Sequence, residues 1–120
     1  EVDPKTLCLS AKTIHEAKTH KTRAVLYVSL YGNASNLDEI SNYCAKNGLI
    51  FINDCAPALF GTFKGRPLAS YGDFSALSFF ADKTITTGEG GMLLTNNMAL
   101  INKCNIYKHD GRKERGVDII

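Results

Sequence analysis

The sequence holds 120 residues, 44% hydrophobic and 22% charged, the composition of one ordinary soluble domain with enough chain to bury a core. Fourteen Lys and Arg against twelve Asp and Glu leave a net charge of +2, too small and too scattered to mark a nucleic-acid or anionic-membrane surface. No apolar run reaches the roughly 20 residues that span a bilayer. Glu1-Val2-Asp3-Pro4 has neither the basic end nor the apolar stretch of a signal peptide, so the expected location is cytoplasmic. Membrane, fibrous, disordered and disulfide-rich classes are thereby excluded.

In chain order, Ser10 reads as the cap of a short helix over residues 11–18 with Ile14 and Ala17 inward. Ala24-Val25-Leu26-Tyr27-Val28 is a nearly continuous apolar run of buried-strand length. Asn36 followed by Glu39 resembles a capping box, with Leu37, Ile40 and Cys44 on one face of the helix it opens and Asn47-Gly48 as its stop. Leu49-Ile50-Phe51-Ile52 is a second buried strand ending in Asn53-Asp54, so strand, helix and strand form a parallel βαβ unit. Lys64-Gly65, within residues 60–68, predicts a small hairpin or a bulged turn, and Gly72-Asp73 breaks the chain again. Phe74 to Phe80 is a third strand and Met92 to Thr95 a fourth. A final helix starts near Asn97, carries Leu100, Cys104 and Tyr107 inward and ends before Gly111, with a charged segment at Arg112 to Arg115. The alternation predicts one α/β domain.

Cys8, Cys44, Cys55 and Cys104 are isolated, which favours buried thiols in a reducing compartment over a disulfide framework or a zinc site. His15, His20 and His109 are unclustered, so no metal site is expected. Ligands of open parallel sheets bind beyond the carboxyl ends of the strands, and three residues sit there. Asp54 closes the second strand, Ser78 lies near the end of the third, and Lys83 follows in the next loop. Taken singly they read as a turn former, a backbone-bonding hydroxyl and a solvated amine. Gly88-Glu89-Gly90-Gly91 lacks the spacing of a phosphate-binding loop and reads as a tight turn.

Together these residues resemble the DegT/DnrJ/StrS family of pyridoxal-phosphate-dependent nucleotide-sugar aminotransferases. The resemblance runs from about Val2 to Gly111, through Ser29-Leu30-Tyr31-Gly32, Asn36-Leu37-Asp38-Glu39-Ile40, Ile52-Asn53-Asp54-Cys55-Ala56 and Phe63-Lys64-Gly65-Arg66. Its strongest part is Ser78-Phe79-Phe80-Ala81-Asp82-Lys83 followed by Gly88-Glu89-Gly90-Gly91-Met92. The resemblance implies a three-layer α/β fold with a mostly parallel sheet, the last strand antiparallel. It implies the partial large, pyridoxal-phosphate-binding domain over 1–120, without the family's N-terminal phosphate-binding segment and C-terminal small domain. Such a slice is expected to leave a sheet edge and apolar faces uncovered.

By the same resemblance, Lys83 bonds covalently to pyridoxal 5′-phosphate and shuttles the proton, Asp54 pairs with the pyridine nitrogen, and Ser78 binds the phosphate. A lysine ammonium needs desolvation or nearby positive charge before it acts as a nucleophile. The implied reaction moves an amino group from a donor, glutamate by analogy, to a keto group of a nucleotide-linked sugar. Lysine at position 83 argues against the family's dehydratase branch, which carries histidine there. The implied protein is a homodimer or higher homo-oligomer, with no nucleic-acid or membrane partner. Two departures stand out: Pro57 replaces a polar side chain near the ring, and Ser29 replaces a histidine of unassigned role. A non-catalytic binding or assembly module and another fold type I pyridoxal-phosphate enzyme are the alternatives.

Overall fold

A computed structural model describes residues 2–109. Its main elements are α1 (Ala11–Ala17), β1 (Ala24–Val28), α2 (Leu37–Asn47), β2 (Ile50–Asp54), the two-residue strands β3 (Thr62–Phe63) and β4 (Arg66–Pro67), β5 (Phe74–Ser78), β6 (Gly91–Leu94) and α3 (Met98–Lys108). The principal sheet has the order β1-β2-β5-β6. β1, β2 and β5 are parallel, in a register that sets Val28 beside Asp54 and Asp54 beside Ala76. β6 runs antiparallel to β5, with Ser78 opposite Gly91. The expected α/β class, the parallel βαβ unit and the antiparallel last strand are all present.

Local chemistry explains most element ends. The Thr13 amide donates to Ser10 Oγ at 3.2 Å and the Ser10 amide to Thr13 Oγ1 at 3.0 Å, a reciprocal cap that starts α1. At α3 the Asn97 carboxamide oxygen accepts the Ala99 amide at 3.0 Å. α2 stops at left-handed Gly48, whose N–H is taken by the Ala45 and Cys44 carbonyls. The predicted Asn36–Glu39 capping box is absent: Asn36 has φ 65°, and its side chain caps nothing. A capping residue needs extended backbone to aim its side chain at the first amides, and the left-handed turn at Asn36 removes that aim. Lys64 (φ 50°) and Gly65 (φ 75°) form the two-residue tip between β3 and β4, as their sequence predicts.

Leu37, Ile40 and Cys44 of α2 pack with Ile14, Val25, Tyr27, Phe51 and Leu68 into one core, within which the Tyr27 and Phe51 rings meet edge to face. Successive strand residues point to opposite faces. β1 and β2 therefore bury Val25, Tyr27, Phe51 and Asn53 against α2 while Leu26 and Ile50 stay exposed at 57% and 47%. The reading of both as fully buried strands is corrected here: a continuous apolar run shows what both faces can bury, and only one is covered among the described residues. Among the described residues no strand pairs with the outer edge of β1.

Several inward assignments also change. Only Ile14 of α1 is buried and Ala17 is exposed, because seven residues turn a single position onto the core. α3 buries no residue: Leu100 and Cys104 are half-buried and Tyr107 is 78% exposed. At the β6 margin, Ile101, Cys104 and Asn105 of the helix share a pocket of about 470 Å³ with Gly91, Leu93 and Thr95. Cys8, Cys44 and Cys55 are buried free thiols, whereas Cys104 is a half-buried one. β5 ends at Ser78 rather than Phe80, because the Phe79 carbonyl turns to accept the Thr87 amide at 3.0 Å. The charged segment at Arg112 to Arg115 lies outside the described residues. No helix among the described residues is long and apolar enough to cross a membrane.

Candidate active site

The alternation that buries Asn53 sends its neighbour Asp54 to the opposite, open face. Ser78 lies two residues beyond Ala76, the partner of Asp54 in the ladder, so it shares that face. One strand spacing and two residues of rise put the Asp54 and Ser78 Cα atoms about 8 Å apart. Both sit at carboxyl ends of parallel strands, where the sequence placed them.

Asp54 is half-buried and held by its own turn: Oδ1 accepts the Ala56 amide at 3.0 Å. Its main-chain carbonyl accepts the Ser29 amide at 3.0 Å, and the Cys55 amide donates to the Ala76 carbonyl at 2.9 Å. The second carboxylate oxygen has no partner among the described residues. Ser78 Oγ accepts the Phe80 amide at 3.3 Å, which leaves its O–H proton to donate.

Lys83 lies in the loop between β5 and β6, with its amide on the Phe80 carbonyl at 3.1 Å. Its side chain is 30% exposed and its Nζ lies 3.4 Å from Asp82 Oδ1. No hydrogen bond or ion pair among the described residues joins Lys83 to Asp54 or Ser78, so the three converge on one end of the sheet without touching. Phe79 clasps the two arms of the loop. Its amide donates to the Gly90 carbonyl at 2.9 Å, and its carbonyl accepts both the Thr87 amide and the Thr86 hydroxyl. The start of the Gly88 to Gly91 segment is held by the two threonines before it, with the Gly88 amide on Thr86 Oγ1 and the Thr87 hydroxyl on the Glu89 carbonyl. The chain bends at Gly88 and Glu89 before entering β6.

Sequence reasoning missed the support beneath Asp54. Ser29 and Asn53 are both fully buried; the Ser29 hydroxyl donates to Asn53 Oδ1 at 3.1 Å, and Asn53 Nδ2 donates to the Leu68 carbonyl at 2.9 Å. The available signal was a polar residue at an inward position of an apolar strand. Its partner lies 24 residues away, beyond any local pattern. Burial pushes the neighbouring Cys55 thiol up, keeping it neutral, although a Ser29 hydrogen bond works the other way. Pro57 sits half-buried in the following turn and offers no side-chain donor.

A carboxylate with a free oxygen, a hydroxyl with a free proton and a primary amine form a donor set that fits pyridoxal phosphate. They can accept from a ring N–H, donate to a phosphate and bond to a carbonyl carbon, respectively. Among the described residues no group of three or more His, Cys, Asp or Glu is arranged to hold a metal ion.

The model of the DegT/DnrJ/EryC1/StrS aminotransferase family matches residues 1–118. GDP-perosamine synthase of Escherichia coli O157:H7 is 39% identical over 109 residues, which are 91% of this chain and 30% of that protein. An L-glutamine:2-deoxy-scyllo-inosose aminotransferase of Streptoalloteichus tenebrarius is 37% identical over 112 residues, 93% of this chain and 26% of that protein. The solved structure of NtdA from Bacillus subtilis with bound cofactor PMP superimposes with a TM-score of 0.86 at 28% identity, over 100% of this chain and 27% of that one. The chain thus spans about 30% of the length of the curated relatives it matches first.

Proposed function

Because the chain belongs to the DegT/DnrJ/EryC1/StrS aminotransferase family, we propose that Asp54, Ser78 and Lys83 hold pyridoxal 5′-phosphate in an enzyme that aminates a keto group of a nucleotide-linked sugar. The observation that carries this reading is the shared face of Asp54 and Ser78 at adjacent strand ends, with Lys83 on the clasped loop that follows. Bound there, the cofactor supplies an electron-accepting ring that stabilises negative charge at the substrate carbon beside nitrogen.

The chain's own residues do the rest. Asp54 holds the proton of the ring nitrogen through its free oxygen, while its other oxygen stays on the Ala56 amide. Ser78 donates its hydroxyl proton to the phosphate. Lys83, freed from Asp82 and deprotonated, would hold the cofactor through Nζ, and as a free amine would take and return the substrate proton at that atom. Pro57 offers no side-chain donor, so a hydrogen bond to the ring's phenolic oxygen is either lost or supplied elsewhere.

The GDP in the name of the Escherichia coli relative favours a nucleotide sugar, and the name of the Streptoalloteichus relative makes a free cyclitol ketone the second reading of the acceptor. Glutamate and glutamine are the corresponding donors. On this reading the enzyme is cytoplasmic, serves polysaccharide biosynthesis and acts as a homodimer or higher homo-oligomer.

Borohydride reduction of the full-length protein loaded with pyridoxal phosphate, followed by peptide mass mapping, tests the assignment. The expected result is one cofactor adduct, on the peptide containing Lys83, and none in Lys83→Ala. An adduct on another lysine, or covalent retention by Lys83→Ala, refutes it. Assays with a nucleotide 4-keto sugar and with 2-deoxy-scyllo-inosose, each with both donors, separate the two acceptors.

A further inference from the structure

We propose that the buried Ser29–Asn53 pair is a positioning device for Asp54; the inference rests on the assignment of Asp54 to the cofactor ring. Ser29 and Asn53 sit at the ends of two apolar strands with 0% of their surfaces exposed. Burying a carboxamide without partners is strongly unfavourable, so such a residue persists only where its bonds are made. Here they are made in two directions. The Ser29 hydroxyl ties Asn53 to the end of β1, and the Leu68 carbonyl ties it to the turn at Leu68–Ser70. Ser29 closes the circuit by donating its amide to the carbonyl of Asp54 itself.

The pair is not needed to satisfy the groups around it. The Leu68 carbonyl already accepts the Tyr71 amide at 3.1 Å, so an apolar pair would fill the same space and leave no backbone group unpaired. What the polar pair adds is direction. It pins the backbone of Asn53 and Asp54 from the side facing α2, and the alternation of the strand converts that into a fixed bearing of the Asp54 carboxylate on the other side. Neither Ser29 nor Asn53 touches the cofactor on this reading; both act through Asp54.

The test uses the full-length protein stripped of cofactor, with Ser29→Ala, the double variant Ser29→Ala/Asn53→Val, and Asp54→Asn as the reference. Thermal unfolding without cofactor reports the structural role, and titration with pyridoxal phosphate, followed by its visible band, reports the bearing of Asp54. Replacing both hydrogen-bonding partners by apolar groups is close to neutral for stability, so the double variant is expected to melt near the parent. Its dissociation constant for pyridoxal phosphate is expected to rise about tenfold, with a shifted visible band, as for other lost supports of a binding group. If the double variant does not fold, Ser29→Ala, which leaves Asn53 Oδ1 unpaired and melts lower, is expected to lose more affinity than its lower melting temperature accounts for. Parental affinity and an unshifted band in the pair variants, with weak binding by Asp54→Asn, overturn the positioning role alone. Affinity loss that only tracks a lower melting temperature overturns it as well. Parental binding by Asp54→Asn refutes the assignment of Asp54, and this inference falls with it.

Discussion

Gly72→Ala tests how the offset between Asp54 and Ser78 is held. Gly72 precedes β5 with φ +93°, and a Cβ built there lies 2.9 Å from the Phe51 carbonyl oxygen and 3.3 Å from that of Phe74. Both obstacles are main-chain atoms of the central strands. The next residue staples the same place: the Asp73 amide donates to the Phe51 carbonyl at 2.8 Å, and the Phe51 amide to Asp73 Oδ2 at 2.7 Å. Relieving the clash therefore means moving β5 against β2. The left-handed backbone costs a side chain about 1–2 kcal/mol, and forcing an extra carbon into packed strands about 1–3 kcal/mol more. Gly65→Ala is the control, since Gly65 also has positive φ (+75°) but no heavy atom within 4 Å of the added carbon. The entropy an alanine removes from the unfolded chain is common to both and cancels in the difference. Urea unfolding of the full-length protein, followed by circular dichroism, should show Gly72→Ala losing about 1–3 kcal/mol more than Gly65→Ala. Pyridoxal phosphate affinity should fall in the first variant and hold in the second. Equal losses in the two would refute the argument from close approach.

Tyr27→Phe removes a buried hydroxyl that donates to the Ser35 carbonyl at 3.0 Å. It should cost about 1 kcal/mol, rising to about 3 kcal/mol if that carbonyl is left dry, read as a shift in the urea midpoint. Burial, aided by Asp73, pushes the Cys44 thiol from an ordinary 9.0 up to about 11. The unfolded chain therefore gives up this proton first: the thiol's contribution to stability is intact below pH 9.0 and lost as pH rises towards about 11. Cys44→Ala should flatten the fall in stability across that window, measured by urea unfolding at stepped pH.

The sequence made the strands and helices readable where one residue or one short pattern decides them. Ser10 and Asn97 cap helices with their own side chains, and Lys64-Gly65 specifies a hairpin tip through its backbone alone. Asp54, Ser78 and Lys83 were placed by the ends of apolar runs, which is the same kind of local signal. Where the outcome depended on distant chain, local reading failed. The capping chemistry of Asn36 was overridden by a left-handed turn, set by how the chain enters α2 from Leu30–Gly32. Tyr107 fits an inward helical spacing, but among the described residues nothing packs over it. Ser29 could not be given a role because its role is a bond to Asn53, and only the parallel pairing of β1 with β2 brings the two together.

That pairing also couples the chemistry to the covering of the sheet. Asp54 and Ser78 point to the face on which Leu26, Val28, Ile50 and Leu93 are exposed. A carboxylate in contact with a protonated ring is worth little in bulk water and several times more when water is excluded. The amine of Lys83, now beside the exposed Asp82 carboxylate, likewise needs water and counter-charge removed before it can attack a carbonyl carbon. The apolar residues around the site supply the reason for such a cover to settle there, since each large side chain gains about 1.5–3 kcal/mol when buried. A segment or subunit that closed that face would gain stability from burying it, and in closing it would dry the site. Polar substitutions at Leu26 or Ile50, on the face of Asp54 but short of the strand end, should therefore weaken cofactor binding without touching the cofactor.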